Sequence, residues 1–112
     1  MSLDVRTVGD VTILTPKGML LGGKETDELQ NKIKELAEAG GRKLLINLGQ
    51  TTFMNSVSLG VLIAGHTNFA KRDAKMKLCA VDNKIQNIFV VTKLSLVFDV
   101  YETEEQALAS FK

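Results

Sequence analysis

The chain has 112 residues, 45% of them apolar and 24% charged, which suits a single folded domain over residues 1–112 and excludes a disordered segment. Fourteen basic residues against thirteen acidic ones leave a formal charge of +1, so no global field directs the chain to nucleic acid or to an anionic membrane. No apolar run has the length of a bilayer span, and Asp4 and Arg6 stand where a signal peptide would need its apolar stretch, so no membrane insertion and a cytoplasmic location are expected.

Leu3 and Val5 alternate with Asp4 and Arg6, Gly9-Asp10 supplies a turn, and Val11 to Thr15 resumes an extended pattern, so the chain opens as a β-hairpin. Pro16 places the end of the second strand at a sheet edge. Gly18 to Lys24 fits Gly-x-x-x-x-Gly-Lys, the first seven positions of a phosphate-binding P-loop, but Glu25 stands where the magnesium-binding hydroxyl belongs. A glycine turn before a helix is the simpler reading, with nucleotide binding as a lesser alternative. Glu25 to Ala39 has helical spacing, with Leu29, Ile33, Leu36 and Ala37 on one face and Gly40-Gly41 as the stop. Lys43 to Leu48 is short, nearly continuously apolar and followed by Gly49, as expected of a strand covered on both faces.

Phe53 to Gly60, read Phe-Met-Asn-Ser-Val-Ser-Leu-Gly, joins that strand to a helix. Leu59, Leu62, Ile63, Phe69 and Ala70 share one stripe, so the helix starts near Asn55 or Ser56, both good N-cap residues. A phosphoryl group on Ser56 would then lie against unpaired backbone N–H groups and the positive end of the helix dipole. Val57, Val61 and Ala64 form a second apolar ridge, with Gly60 to one side, which reads either as a docking surface for another protein or as filling for a groove against Gly22-Gly23. Met76 to Val81 is the next strand, Asp82 or Asn83 caps a helix carrying Ile85, Ile88 and Phe89, and Val97 to Tyr101 makes a last strand. Thr103 and Gln106 form the capping box of a closing helix that buries Ala107, Leu108 and Phe111. Strands alternating with helices after a hairpin predict an α/β fold: a mixed, largely parallel β-sheet with about four α-helices packed on it.

The remaining chemistry-bearing residues have plain readings. His66 lies on the apolar stripe with no second ligand at metal spacing, so it is read as a core or boundary residue. Cys79 is a small buried hydrophobe. Lys71, Arg72, Lys75 and Lys77 form a small basic cluster at the end of the Ser56 helix, read by default as a solvated turn, with an anion site as the alternative. Paired carboxylates, a nucleophile with its base and metal-ligand spacing are all missing, so neither enzyme activity nor a cofactor is expected.

The Phe53 to Gly60 segment resembles the phosphorylation loop of the anti-sigma factor antagonists, the bacterial members of the STAS domain family. In that family a partner kinase phosphorylates a serine in a loop of the form Phe/Tyr-Met/Ile-Asp-Ser-Ser/Thr/Ala-Gly-Leu-Gly. The match runs through Phe53, Met54, Ser56, Leu59 and Gly60, and departs at Asn55, Val57 and Ser58. Leu21 stands where the family has a second aspartate. The resemblance implies a STAS fold over nearly the whole chain. It also implies a non-enzymatic switch that binds an anti-sigma factor of the serine kinase type while Ser56 is free, with a separate phosphatase to restore it. The neutral Leu21 and Asn55 equally suit a STAS scaffold or transporter-associated module that is not phosphorylated.

Overall fold

A computed structural model describes residues 3–112. Strands β1 (Leu3–Val8) and β2 (Val11–Pro16) form the expected antiparallel hairpin, turned at Gly9, whose φ of 62° suits a residue without Cβ. Next come β3 (Gly18–Leu20), α1 (Lys24–Glu38), β4 (Lys43–Asn47), β5 (Thr51–Met54) and α2 (Ser56–Lys71). The chain closes with β6 (Lys75–Cys79), α3 (Asn83–Val91), a 3-10 turn at Leu94–Leu96, β7 (Val100–Tyr101) and α4 (Glu104–Ser110). The five-stranded sheet runs β1-β2-β4-β6-β7, antiparallel only at the hairpin and parallel thereafter.

Alternation along the parallel strands sends neighbouring residues to opposite faces. Leu14, Leu44, Ile46, Met76 and Leu78 point into the main core, which α1, α2 and α3 cover with Leu29, Ile33, Leu62, Phe69, Ile85 and Phe89. Ile13, Leu45 and Cys79 face the other way into a smaller core under α4, around Ala107. Leu108 and Phe111 are only partly buried there.

Strand β2 lies between β1 and β4, but its ladder with β4 spans only Thr12 to Leu14, so the missing N–H of Pro16 falls beyond it, at a strand end left open on that side as expected. Two expectations change. The last strand shrinks to Val100–Tyr101, since Leu94–Leu96 turns instead and Val97 ends that turn in a helical conformation. Finally, β4 does not lead directly into α2. Short β5 intervenes and pairs with β3 in a separate two-stranded parallel ladder, which brings the Gly18 segment alongside the segment that ends at Asn55.

Candidate functional site

The ladder of β3 on β5 sets Met19 opposite Phe53 and Leu20 opposite Met54. Leu20 and Met54 are buried, whereas Met19 and Phe53 are exposed, as period-two alternation requires of a ladder with one face on the core. Both loops that leave this ladder enter helices, at Gly23 for α1 and Asn55 for α2.

Asn55 is the N-cap of α2 and organises the site. Its Oδ1 accepts from the N–H groups of Val57 and Ser58 at 3.1 and 3.2 Å. Ser58 Oγ accepts in return from the Asn55 N–H at 3.0 Å, completing a capping box in which Ser58 is fully buried. The remaining donor of Asn55, Nδ2, bonds the Leu21 carbonyl at 2.9 Å and so fastens the loop before α1 to the amino end of α2. Gly22 lies close above Val57: a Cβ on Gly22 would meet Val57 Cγ1 at 3.0 Å, and its φ of 92° is itself suited to glycine.

Ser56 therefore occupies the first helical position and is not the cap. Its side chain is exposed and its hydroxyl has no hydrogen-bond partner among the described residues. The expectation of several unpaired N–H groups beside it is corrected as well, because Asn55 already satisfies those of Val57 and Ser58. What is left for an anion is the Ser56 N–H and the dipole, and α2 has no acidic residue in its first turn.

The ridge assigned to Val57, Val61 and Ala64 is divided by the tertiary structure. Val57 is 54% exposed and Ala64 is exposed, whereas Val61 is 7% exposed and belongs to the main core. Helix α1 packs along that flank of α2. Gly65, one turn on, lets the two approach so closely that a Cβ there would come within 2.9 Å of Ile33 Cγ2. Ile63 and Ala70, expected inside, are correspondingly exposed. Gly60 is also exposed, with open space around it. The exposed apolar side chains on the segments that meet at the α2 amino end are thus Val57, Leu21, Met19 and Phe53. Met19 was not singled out from sequence, since a three-residue strand gives too short an alternation to read.

The Gly18 to Lys24 loop does not form a phosphate cradle. The Gly22 N–H is committed to Thr26 Oγ1 at 2.9 Å, the Leu21 carbonyl to Asn55, and Val57 fills the space beside Gly22. His66 is half-buried with its ring edge-on to Phe98 at 5.5 Å, as a boundary residue should be. Burial, with Glu104 nearby, pushes the Cys79 thiol up to about 12, which leaves it unreactive as a thiolate. No cluster of three His, Cys, Asp or Glu side chains suited to a metal occurs among the described residues.

The family model for the STAS domain matches residues 2–107. The chain belongs to the STAS domain family. BtrV of Bordetella bronchiseptica is 20% identical over 112 residues, covering 100% of this chain and 96% of BtrV. TM1081 of Thermotoga maritima superposes with a TM-score of 0.89 at 21% identity, over 96% of this chain and 92% of that one. The Bacillus protein SpoIIAA in its phosphorylated form superposes with a TM-score of 0.79 at 16% identity, over 98% of this chain and 99% of that one. STAS domain proteins are typically non-catalytic regulatory proteins. Among the described residues no helix is long and apolar enough to cross a membrane.

Proposed function

We propose that this STAS protein is an anti-sigma factor antagonist of the cytoplasm whose partner binding is controlled by phosphorylation of Ser56. The observation that carries the reading is the unpartnered, exposed Ser56 hydroxyl at the first position of α2, next to exposed Val57 and just after the β3–β5 ladder and its following loop, whose exposed side chains include Met19, Phe53 and Leu21. A free hydroxyl is open to a kinase. Those apolar side chains suit a protein partner, and a phosphoryl group of roughly −1.5 to −2 charges at the same helix end would oppose docking through desolvation and repulsion. SpoIIAA, known in phosphorylated and unphosphorylated forms, shares the fold and supports the analogy. The partner is then an anti-sigma factor that is also the kinase, with a phosphatase to reverse the mark.

A specific observation favours a second reading, a STAS scaffold that is not phosphorylated. Asn55 uses its Nδ2 donor to hold the Leu21 carbonyl, a bond that the family aspartate would be unable to make. The two readings separate in one experiment. The protein is captured from its source cell, its partner identified by mass spectrometry, and Ser56 assayed for phosphate with that partner and ATP. The switch reading expects phosphate on Ser56 and weakened binding by Ser56→Asp but not by Ser56→Ala. Stable binding to a partner that lacks kinase activity, unaffected by Ser56→Asp, would establish the scaffold instead.

A further inference from the structure

The four basic residues expected to share a solvated turn do not stay together. Lys71 and Arg72 end α2, while Lys75 and Lys77 enter β6 and project onto the α4 face of the sheet. There Lys75 is the direct register partner of Lys43 on the parallel strand β4, and Lys77 partners Leu45. Like charges placed opposite one another across a ladder are unfavourable, so two facing lysines with a third two residues along need an explanation.

Part of it is structural. Lys43 pairs with Asp10 at 2.6 Å. Lys77 is 7% exposed and its Nζ donates to the Ser110 carbonyl and hydroxyl at 3.1 and 2.9 Å, which closes the carboxyl end of α4. Its ammonium also lies 4.6 Å from the Phe111 ring centroid and 5.5 Å from that of Tyr101. These contacts leave one Lys77 N–H unassigned. The Lys75 ammonium has no partner among the described residues, and the Arg42 guanidinium uses only Nη2, bonded to the Asp73 carbonyl at 2.8 Å.

Arg42, Lys43, Lys75, Lys77, Ser110 and Phe111 line a cleft of about 270 Å³, with Asp73 as the only carboxylate in its wall among the described residues. With Asp10 offsetting Lys43 and Asp73 offsetting one more cation, the cleft keeps a surplus of positive charge around unsatisfied donors. Phe111 gives it one apolar wall.

We propose that this cleft binds a small phosphate monoester, its phosphoryl oxygens between Lys75, Arg42 and the free N–H of Lys77 and its organic group against Phe111. The site lies at the amino ends of the parallel strands and involves none of the residues around Ser56, so it stands or falls independently of the switch.

The test titrates the full-length, isotopically labelled protein with inorganic phosphate and with phenyl phosphate at constant ionic strength, followed by amide chemical shifts. Constant ionic strength separates site binding from general screening. Saturable shifts are expected at Lys75, Lys77 and Phe111, tighter for phenyl phosphate than for phosphate. Lys75→Ala, an exposed change, should weaken binding by about tenfold. Lys71→Ala, a cation at the end of α2, should leave it unchanged, and matching melting temperatures will show that both variants are folded. Shifts that fail to saturate in the millimolar range, or equal affinity in Lys75→Ala, would overturn the proposal. Preference for inorganic phosphate over its phenyl ester would remove the Phe111 wall from it.

Discussion

The amino ends of α2 and α4 begin alike and are finished differently. Each has a polar N-cap, Asn55 or Thr103, whose side chain accepts from the backbone N–H three residues on, at 3.2 Å from Ser58 and 3.1 Å from Gln106. At α4 the first turn then supplies Glu104 and Glu105 to the dipole, and Glu104 is further held by Asn47 at 3.0 Å and by Arg6. The α4 end is electrostatically complete. At α2 the cap is neutral, the first turn has no carboxylate, and the side chains around it are apolar and exposed. An end finished with its own charges is a structural joint, whereas an end left without them keeps its dipole available to a charge added later.

The largest effect should come from just inside the α2 end. Val61→Asp buries a carboxylate where α2 packs on α1, and a loss of about 3 kcal/mol or more is expected in urea unfolding. A stable, folded Val61→Asp protein would return Val61 to the surface and restore the ridge to the docking surface. Next is the α4 joint. Glu104→Ala removes the acceptor for Asn47 and Arg6 and should cost about 1–2 kcal/mol, less at high salt because Arg6 is partly exposed.

The same residue gives the comparison a pH axis. Burial would raise the Glu104 carboxyl, but hydrogen bonds from Asn47 and Arg6 and the Arg6 charge outweigh it and hold the group below its ordinary value. A depressed folded value means that its stabilisation is complete above the unfolded carboxyl range and is lost as pH falls through the folded value. Melting temperatures of the protein and of Glu104→Ala should therefore converge as the pH is lowered from 7 toward about 3. A gap that stays constant would show that the carboxylate is not what joins α4 to the sheet.

Smaller effects separate neighbouring residues at the α2 end. Asn55→Ala should cost about 1 kcal/mol as a lost cap. Ser56→Ala, two positions before the buried Ser58, should change stability by less than about 0.5 kcal/mol, because no hydrogen bond is broken. Thermal unfolding of the pair is the sharpest check on the site: a costly Ser56→Ala would place its hydroxyl back in the cap and remove the free nucleophile on which the switch depends.

The order of the five main-sheet strands and four helices, the hairpin start and the polar residues that begin α2, α3 and α4 were legible in the sequence, because periodicity and capping are local properties that a dozen residues can carry. Ser56 was legible as a site residue by resemblance, but its freedom was not, since Asn55 and Ser56 are both good caps and only the folded geometry chooses between them. The ridge failed for a related reason. Helical spacing gives the direction in which Val61 points but not what lies there, and α1, distant in sequence, covers that flank. The β3–β5 ladder and the gathering of Arg42, Lys43, Lys75 and Lys77 were likewise decided by pairing between remote segments. Sequence determined which surfaces each element has, because those follow from the backbone repeat. Tertiary structure decided which of them remain open, because burial is a property of the neighbour as much as of the residue.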